Sequence, residues 1–325
     1  MRPAGALAAA VFLLGVSGKA PLTGAPAIYR DIAVLSDDAL GGRAPATPGG
    51  EAAMAYIIRR FAAVGLRPGA AGGAWSQPVA VEGKQSANLI GRLAGTGSAD
   101  EAVVITAHWD HLGICGKAGS ADRICNGAVD NASGVALMIE VARLLVAGPK
   151  PSRSILFVAT TGEEEGLVGA RAFVAAPPVP LDHIAAVINL DTVATAPADA
   201  PVGIVGRGLT GLDAIVDVEA LRLGRRIDRS RWANRFVKRQ DGWAFLQAGV
   251  PAIMVGGSFG DPAALQAFLN GRYHRPDDDL AHLPSLAGAA EDSILLAAVV
   301  RALAEPARLP RPPSGQGHHL STDKF

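Results

Sequence analysis

From Asn88 onward, short apolar runs alternate with stretches of helical period, and nothing else in the chain narrows its fold as far. NLIGRLAG, AVVITAHW, SILFVATT, HIAAVINLD and PAIMVGG read as strands. NASGVALMIEVARLLVAG, GLVGARAFVAA, LTGLDAIVDVEALRLG and a segment from about Leu286 to Leu303 read as helices between and after them, with VGIVG and WAFLQAGV as further apolar runs. The strand runs lack the alternation of a half-exposed strand, so both of their faces are expected to be covered. The expected fold class is α/β: a doubly wound, mostly parallel mixed sheet with helices on both faces.

Ahead of this region, Ile28 to Leu35 and Glu51 to Gly65 carry apolar residues at helix spacing, with Gly65 where a C-terminal glycine belongs. The Gly/Pro-rich LGGRAPATPGG and AGAAGGAWSQP read as loops. A short N-terminal helical segment, 21–87, is thus expected before a main domain at 88–305. The tail 306–325 is Pro-rich and polar and is expected to be disordered, so His318 and His319 are not counted as ligands. Residues 1–20 place one Arg before an apolar stretch and then small residues, as a secretory signal does; an uncleaved anchor is the other reading.

At 49% hydrophobic and 18% charged, the 325-residue chain can bury a large core. Thirty basic residues balance thirty acidic ones, and aromatics are 5%. Neither favours nucleic acid or a stable membrane partner. No G-x-G-x-x-G follows the first strand, which sets a dinucleotide-binding fold aside. Cys115 and Cys125, with nine residues between them, form a disulfide if the protein is exported and are free thiols otherwise; C-x9-C is not metal-ligand spacing.

In open parallel sheets, function gathers at the carboxyl ends of the strands. Here His108 and Asp110 follow AVVITA, Glu163, Glu164 and Glu165 follow SILFVATTG, and Asp191 follows HIAAVINL. Asp130 stands before a helix in NGAVDNASG, and YHRPDDDL offers His274 and Asp278. Each has an ordinary explanation alone: a surface turn, an acidic loop, a helix N-cap. Their recurrence at one sheet edge does not. Two imidazoles and three carboxylates suit zinc, with His108 and Asp191 on one ion, His274 and Glu164 on another, and Asp130 shared. Asp110 and Asp278 lie near enough in sequence to accept the second ring N–H of His108 and His274. Adjacent Glu163 and Glu164 point apart, leaving one free as a general base. His111, His183 and His282 read as surface or packing residues.

The order AHWDHLG, GAVDNASGVA, EEEGLVGA, NLD, YHRPDD resembles the secreted co-catalytic di-zinc aminopeptidases, the group of bacterial leucyl aminopeptidase, aminopeptidase S and plasma glutamate carboxypeptidase. The resemblance spans 88–304, and LSDDALGGRAPATPGGEAAMAYIIRRFAAVGLRP is similar to the N-terminal segment of bacterial members. It implies a zinc exopeptidase-like fold and two zinc ions per chain, held by His108, Asp130, Glu164, Asp191 and His274. It implies Glu163 as general base, Tyr273 as a donor to the developing oxyanion, and a cis peptide after Asp130. The substrate would be a peptide losing N-terminal residues, and the location periplasmic or extracellular. Two departures stand out: the protease-associated insert is missing at VAVEGKQSAN, and Gln240-Asp241-Gly242 replaces the usual SDH. Carboxypeptidase or dipeptidase action, single-zinc glutaminyl cyclase chemistry, and a non-catalytic binding protein on a peptidase scaffold are the competing readings.

Overall fold

Strand β4, Ala102–His108, is buried at every position, and so is β7, Ser154–Thr160. Along β4, Val103, Ile105 and Ala107 face one apolar layer while Ala102 and Val104 face the other. A strand covered on both sides has no polar face to alternate with, which explains the unbroken apolar runs. The computed structural model describes residues 23–310.

The helices are α1 (Ala25–Leu35), α2 (Pro48–Ala63), α3 (Ser133–Ala147), α4 (Val168–Ala175), α5 (Asp213–Arg222), α6 (Gly242–Gln247), α7 (Pro262–Gly271) and α8 (Ala287–Leu303). The other strands are β1 (Arg67–Pro68), β2 (Ser76–Val81), β3 (Lys84–Leu93), β5 (Gly113–Ile114), β6 (Ile124–Cys125), β8 (Ile184–Asn189), β9 (Gly203–Val205) and β10 (Ala252–Gly256). The large sheet runs β1-β3-β7-β4-β8-β10-β9, with β2 also paired to β3. Residues of α1, α2, α3, α5 and α8 join the apolar cluster on one face. Residues of α4, α6 and α7 join the cluster on the other. The doubly wound arrangement is therefore present.

The pairing differs from the expectation in one respect. Only β7, β4, β8 and β10 run parallel; β1, β2 and β3 at one side and β9 at the other are antiparallel. The stretch around VAVEGKQSAN is also more than a connection. It is a hairpin closed by Glu82 and Gly83, both at positive φ (48° and 76°), the geometry that matches strand twist in a two-residue turn. Strand β3 runs through residue 88, so the boundary expected there falls inside a strand.

Helix α2 begins at Thr47, whose side chain accepts from the Gly50 amide at 3.1 Å, with Pro48 in the first turn. The expected signal, 1–20, lies outside the described residues, as does the tail beyond 310. The first residues of that tail are placed: Arg308 bonds Glu219 of α5 at 2.7 Å. No helix among the described residues is long and apolar enough to cross a membrane.

Candidate metal centre

The polar residues expected at the sheet edge converge. His108 ends β4, the Glu163–Glu164 loop follows β7, and Asp191 follows β8 by one residue beyond Leu190. Asp130 sits in a wide helical turn, Ala128–Ala132, that leads into α3, and its peptide bond to Asn131 is cis. His274 follows α7 and holds φ at 59°, the left-handed region, where a non-glycine residue signals an imposed geometry.

His108 Nε2 lies 3.2 Å from Asp130 Oδ1 and 3.7 Å from Asp191 Oδ1. His274 Nε2 lies 3.2 Å from Asp130 Oδ2 and 3.0 Å from Glu164 Oε2. Ligands about 2.0–2.1 Å from a tetrahedral zinc stand about 3.3 Å from one another, so these separations are those of donors sharing an ion. Asp130 is the residue common to both sets. His108, Asp130 and Asp191 offer atoms close enough for one ion; His111, Asp130 and Glu164 do so again.

Buried polar atoms are normally bonded. Here Asp130 Oδ2, His274 Nε2, Asp110 Oδ2 and His111 Nε2 lack a hydrogen-bond partner, and His111 Nδ1 meets Glu164 Oε1 as an ion-pair contact without hydrogen-bond alignment. Orphaned donors and acceptors clustered on one point fit a metal centre, and the donor set, imidazole and carboxylate, fits zinc.

Three details correct the sequence reading. His111, expected as a surface or packing residue, is fully buried, with Nδ1 2.7 Å from Glu164 Oε1. That distance is shorter than a donor–donor edge and suits an imidazole holding the carboxylate. The doublet Asp110-His111 was the available signal. Asp110 supports His108 through its main-chain carbonyl, 3.2 Å from Nδ1, whereas its carboxylate stands 4.0 Å away and faces the Glu163 amide at 3.5 Å. Asp278 accepts from the amides of Val129 and Asp130 at 2.9 and 3.0 Å, so it holds the Asp130 turn and not the His274 ring. Asn131 adds a further brace: it donates to Leu190 O and accepts from the Gly134 and Thr192 amides, tying α3 to the Asp191 loop. His183 and His282 stay outside the cluster, beside Asp100 and Asp279.

Burial and crowding set the charges. Burial would raise the Asp130 carboxyl, but the His108 and His274 imidazoles, each 3.2 Å away, override it and hold it well below the usual range. Burial likewise opposes the charged His274, yet Asp130 and Glu164 lift it to about 9. Glu163 is raised well above an ordinary carboxyl, first by burial and then by Asp191, Asp241 and Glu164, against the pull of His108. Among the described residues its carboxylate has no hydrogen-bond or ion-pair partner. Tyr273 stacks on His274 with centroids 3.7 Å apart, and burial followed by the nearby carboxylates raises its hydroxyl. Asp191 and Tyr273 also line a pocket walled by Phe236, Met254, Phe259 and Leu265. Asp241 lies close behind, buried and bonded to Thr160, with burial raising it to about 6. Cys115 and Cys125 are joined as a disulfide, and Cys115 Sγ lies 3.8 Å from the His274 carbonyl.

The sequence profile of Peptidase family M28 matches residues 88–299. The chain belongs to peptidase family M28. It is 45% identical over 73 residues to a probable zinc metalloprotease of Pyrenophora tritici-repentis, a stretch that is 22% of this chain and 17% of that protein. A vacuolar membrane protease of Candida dubliniensis matches at 30% over 93 residues, covering 29% and 9%. The chain thus spans less than a fifth of each of these curated relatives. In fold it is similar to the zinc aminopeptidase BSAP from Bacillus subtilis (TM-score 0.64, 16% identity, 91% of this chain and 98% of that one). It is similar to the aminopeptidase of Aneurinibacillus sp. strain AM-1 (0.65, 15%, 90% and 96%) and to the glutaminyl cyclase of Porphyromonas gingivalis (0.62, 18%, 86% and 99%). One fold carrying both names leaves the reaction to be argued from the site.

Proposed function

We propose that this M28 protein is an exported aminopeptidase that uses two zinc ions to remove N-terminal residues from peptides. His108 and Asp191 would hold one ion, Glu164 and His274 the other, with Asp130 common to both. The observation that carries this is the convergence of Asp130 Oδ2, Glu164 Oε2 and His274 Nε2 at ligand-edge spacing, the first and last of them buried without a hydrogen-bond partner. A shared carboxylate suits two cations held close together, because it offsets their repulsion.

When bound, the zinc pair supplies positive charge that polarises the scissile carbonyl and makes a water nucleophilic at neutral pH. Glu163 takes the proton from that water and delivers it to the leaving amine, so water adds across the bond as acid and amine. Its raised proton affinity and free carboxylate suit that exchange. Tyr273 donates a hydrogen bond to the carbonyl oxygen as negative charge develops. The carbonyl of Asp110 fixes the His108 ring, and His111 fixes Glu164. The surplus of carboxylates favours a substrate α-ammonium, and the apolar pocket beside Asp191 and Tyr273 receives the first side chain. The disulfide supports an oxidising compartment.

The test is a free-amine peptide and its N-acetylated twin, incubated with zinc-loaded protein and read by mass spectrometry. Stepwise loss of N-terminal residues from the free peptide alone is expected. Trimming of both from the C-terminus would replace this reading with a carboxypeptidase. No cleavage of either, with zinc bound, would replace it with a binding protein.

A further inference from the structure

The Gly/Pro-rich loop between α1 and α2 carries a side chain that no ligand set accounts for. Arg43 is fully buried, and its hydrogen bonds all end on main-chain carbonyls. Nε donates to Trp109 at 2.8 Å, one residue past His108. Nη1 donates to Asn126 and, at 3.0 Å, to Leu35. Nη2 donates to Gly127 at 2.7 Å and to Asp130 at 3.4 Å. One guanidinium therefore clasps the β4 end that carries His108, the turn that carries Asp130, and the end of α1.

The loop is shaped to deliver it. Arg43 itself has φ 41°, and Gly42 precedes it at φ 73°. A Cβ on Gly42 would stand 2.5 Å from the Cys125 carbonyl and 2.6 Å from that of Gly113, so the backbone passes where only glycine fits. A buried charge is costly unless its bonds are satisfied, and a cation that spends all of them on carbonyls is held there for what those carbonyls belong to. Its charge also faces Asp130, Asp278, Asp110 and Glu164, which a metal-free centre leaves mutually repelling.

We infer that Arg43 is a positioning residue for the metal centre: it sets the spacing of His108 and Asp130 from behind and thereby sets zinc affinity. This rests on the zinc reading above. It follows that the N-terminal segment is part of the site. The planar five-donor fork is essential, because lysine keeps the charge but cannot reach both loops.

The experiment titrates zinc into metal-free wild type, Arg43→Lys, Arg43→Gln and Arg43→Ala against a chromophoric chelator, at a temperature where circular dichroism shows each folded. Asp31→Asn, which breaks a buried ionic network in the same segment, is the control for lost stability alone. Both Arg43→Lys and Arg43→Gln should bind zinc roughly 10–100-fold more weakly, the range seen when a residue supporting a metal ligand is lost. The control should bind as wild type does. Millimolar guanidinium should restore part of the affinity of Arg43→Ala. Zinc affinity within threefold of wild type in folded Arg43→Lys would overturn the inference while leaving the zinc site standing. So would an equal loss in Asp31→Asn. Wild type that binds no zinc would remove the zinc reading itself.

Discussion

Asp31 and Asp130 are both buried carboxylates, 1% and 3% exposed, in opposite circumstances. Asp31 Oδ1 accepts from Arg30 at 3.0 Å, Arg60 at 2.9 Å and the Tyr56 hydroxyl at 2.5 Å. Its Oδ2 accepts from the same two guanidinium groups at 3.1 and 3.3 Å. Asp130 is met by two imidazoles, each at 3.2 Å, and its Oδ2 has no hydrogen bond. The first network is closed by permanent cations and needs nothing further. The second is built from groups that change charge and ligate metals, and it is left open. A buried charge cluster whose bonds are all made holds the fold, and one with unmade bonds among ligating groups has the chemistry of a cation site.

The largest effects are expected at the Asp130 cluster. Glu163→Gln should lower turnover roughly 10³-fold, within the range for general acid–base catalysis, and leave zinc content unchanged. Asp130→Ala should release zinc from both positions, since it is the residue shared by the two donor sets. Metal analysis beside peptide kinetics checks the pair. Equal zinc loss in the two variants would remove the division between base and ligand.

The closed cluster should answer in stability instead. Asp31→Asn removes the buried charge and leaves the partly exposed Arg30 and Arg60 to solvent, so the loss is that of hydrogen bonds to a charged group, about 2 kcal/mol. Urea denaturation should show that loss while zinc affinity and turnover per folded molecule hold. A fall in zinc affinity would mean the two networks are coupled through α1.

Much of this was legible in the chain for one physical reason. Strands covered on both faces are apolar throughout, so a His or Asp at their ends interrupts the pattern visibly, as His108 and Asp191 do. Pairing direction is less visible, because the composition of β3 or β9 does not encode which way a neighbour runs; the antiparallel edges emerge only from the register. Spacing also cannot separate a side chain from the carbonyl of the same residue. That is why Asp110 and Asp278 were assigned to imidazoles when one offers its main chain and the other holds amides. Arg43 was hidden for a related reason: four of its five partners are carbonyls of residues 66 to 87 positions away, and no periodicity or motif records them.

Asp292 lies between Asp31 and Asp130 in how fully its charge is met. Its Oδ1 accepts from Arg225 at 3.0 Å and its Oδ2 from the Gly257 amide at 2.7 Å, but only one cation is bonded where Asp31 has two. Burial raises its carboxyl to about 6, against the pull of the Gly257 amide and Arg225. A carboxyl whose folded pKa lies above its unfolded value binds more protons when folded. Its contribution is then complete below about pH 4 and is lost as pH rises through 6. Asp292→Asn removes that titration. Relative to wild type, the variant should gain on the order of 2 kcal/mol between pH 4 and pH 7, read as the difference between two urea-denaturation series. The metal centre is the same in both proteins, so its own pH response cancels. Parallel curves would show that Arg225 alone keeps Asp292 ionised across the range, which would move it into the class of Asp31.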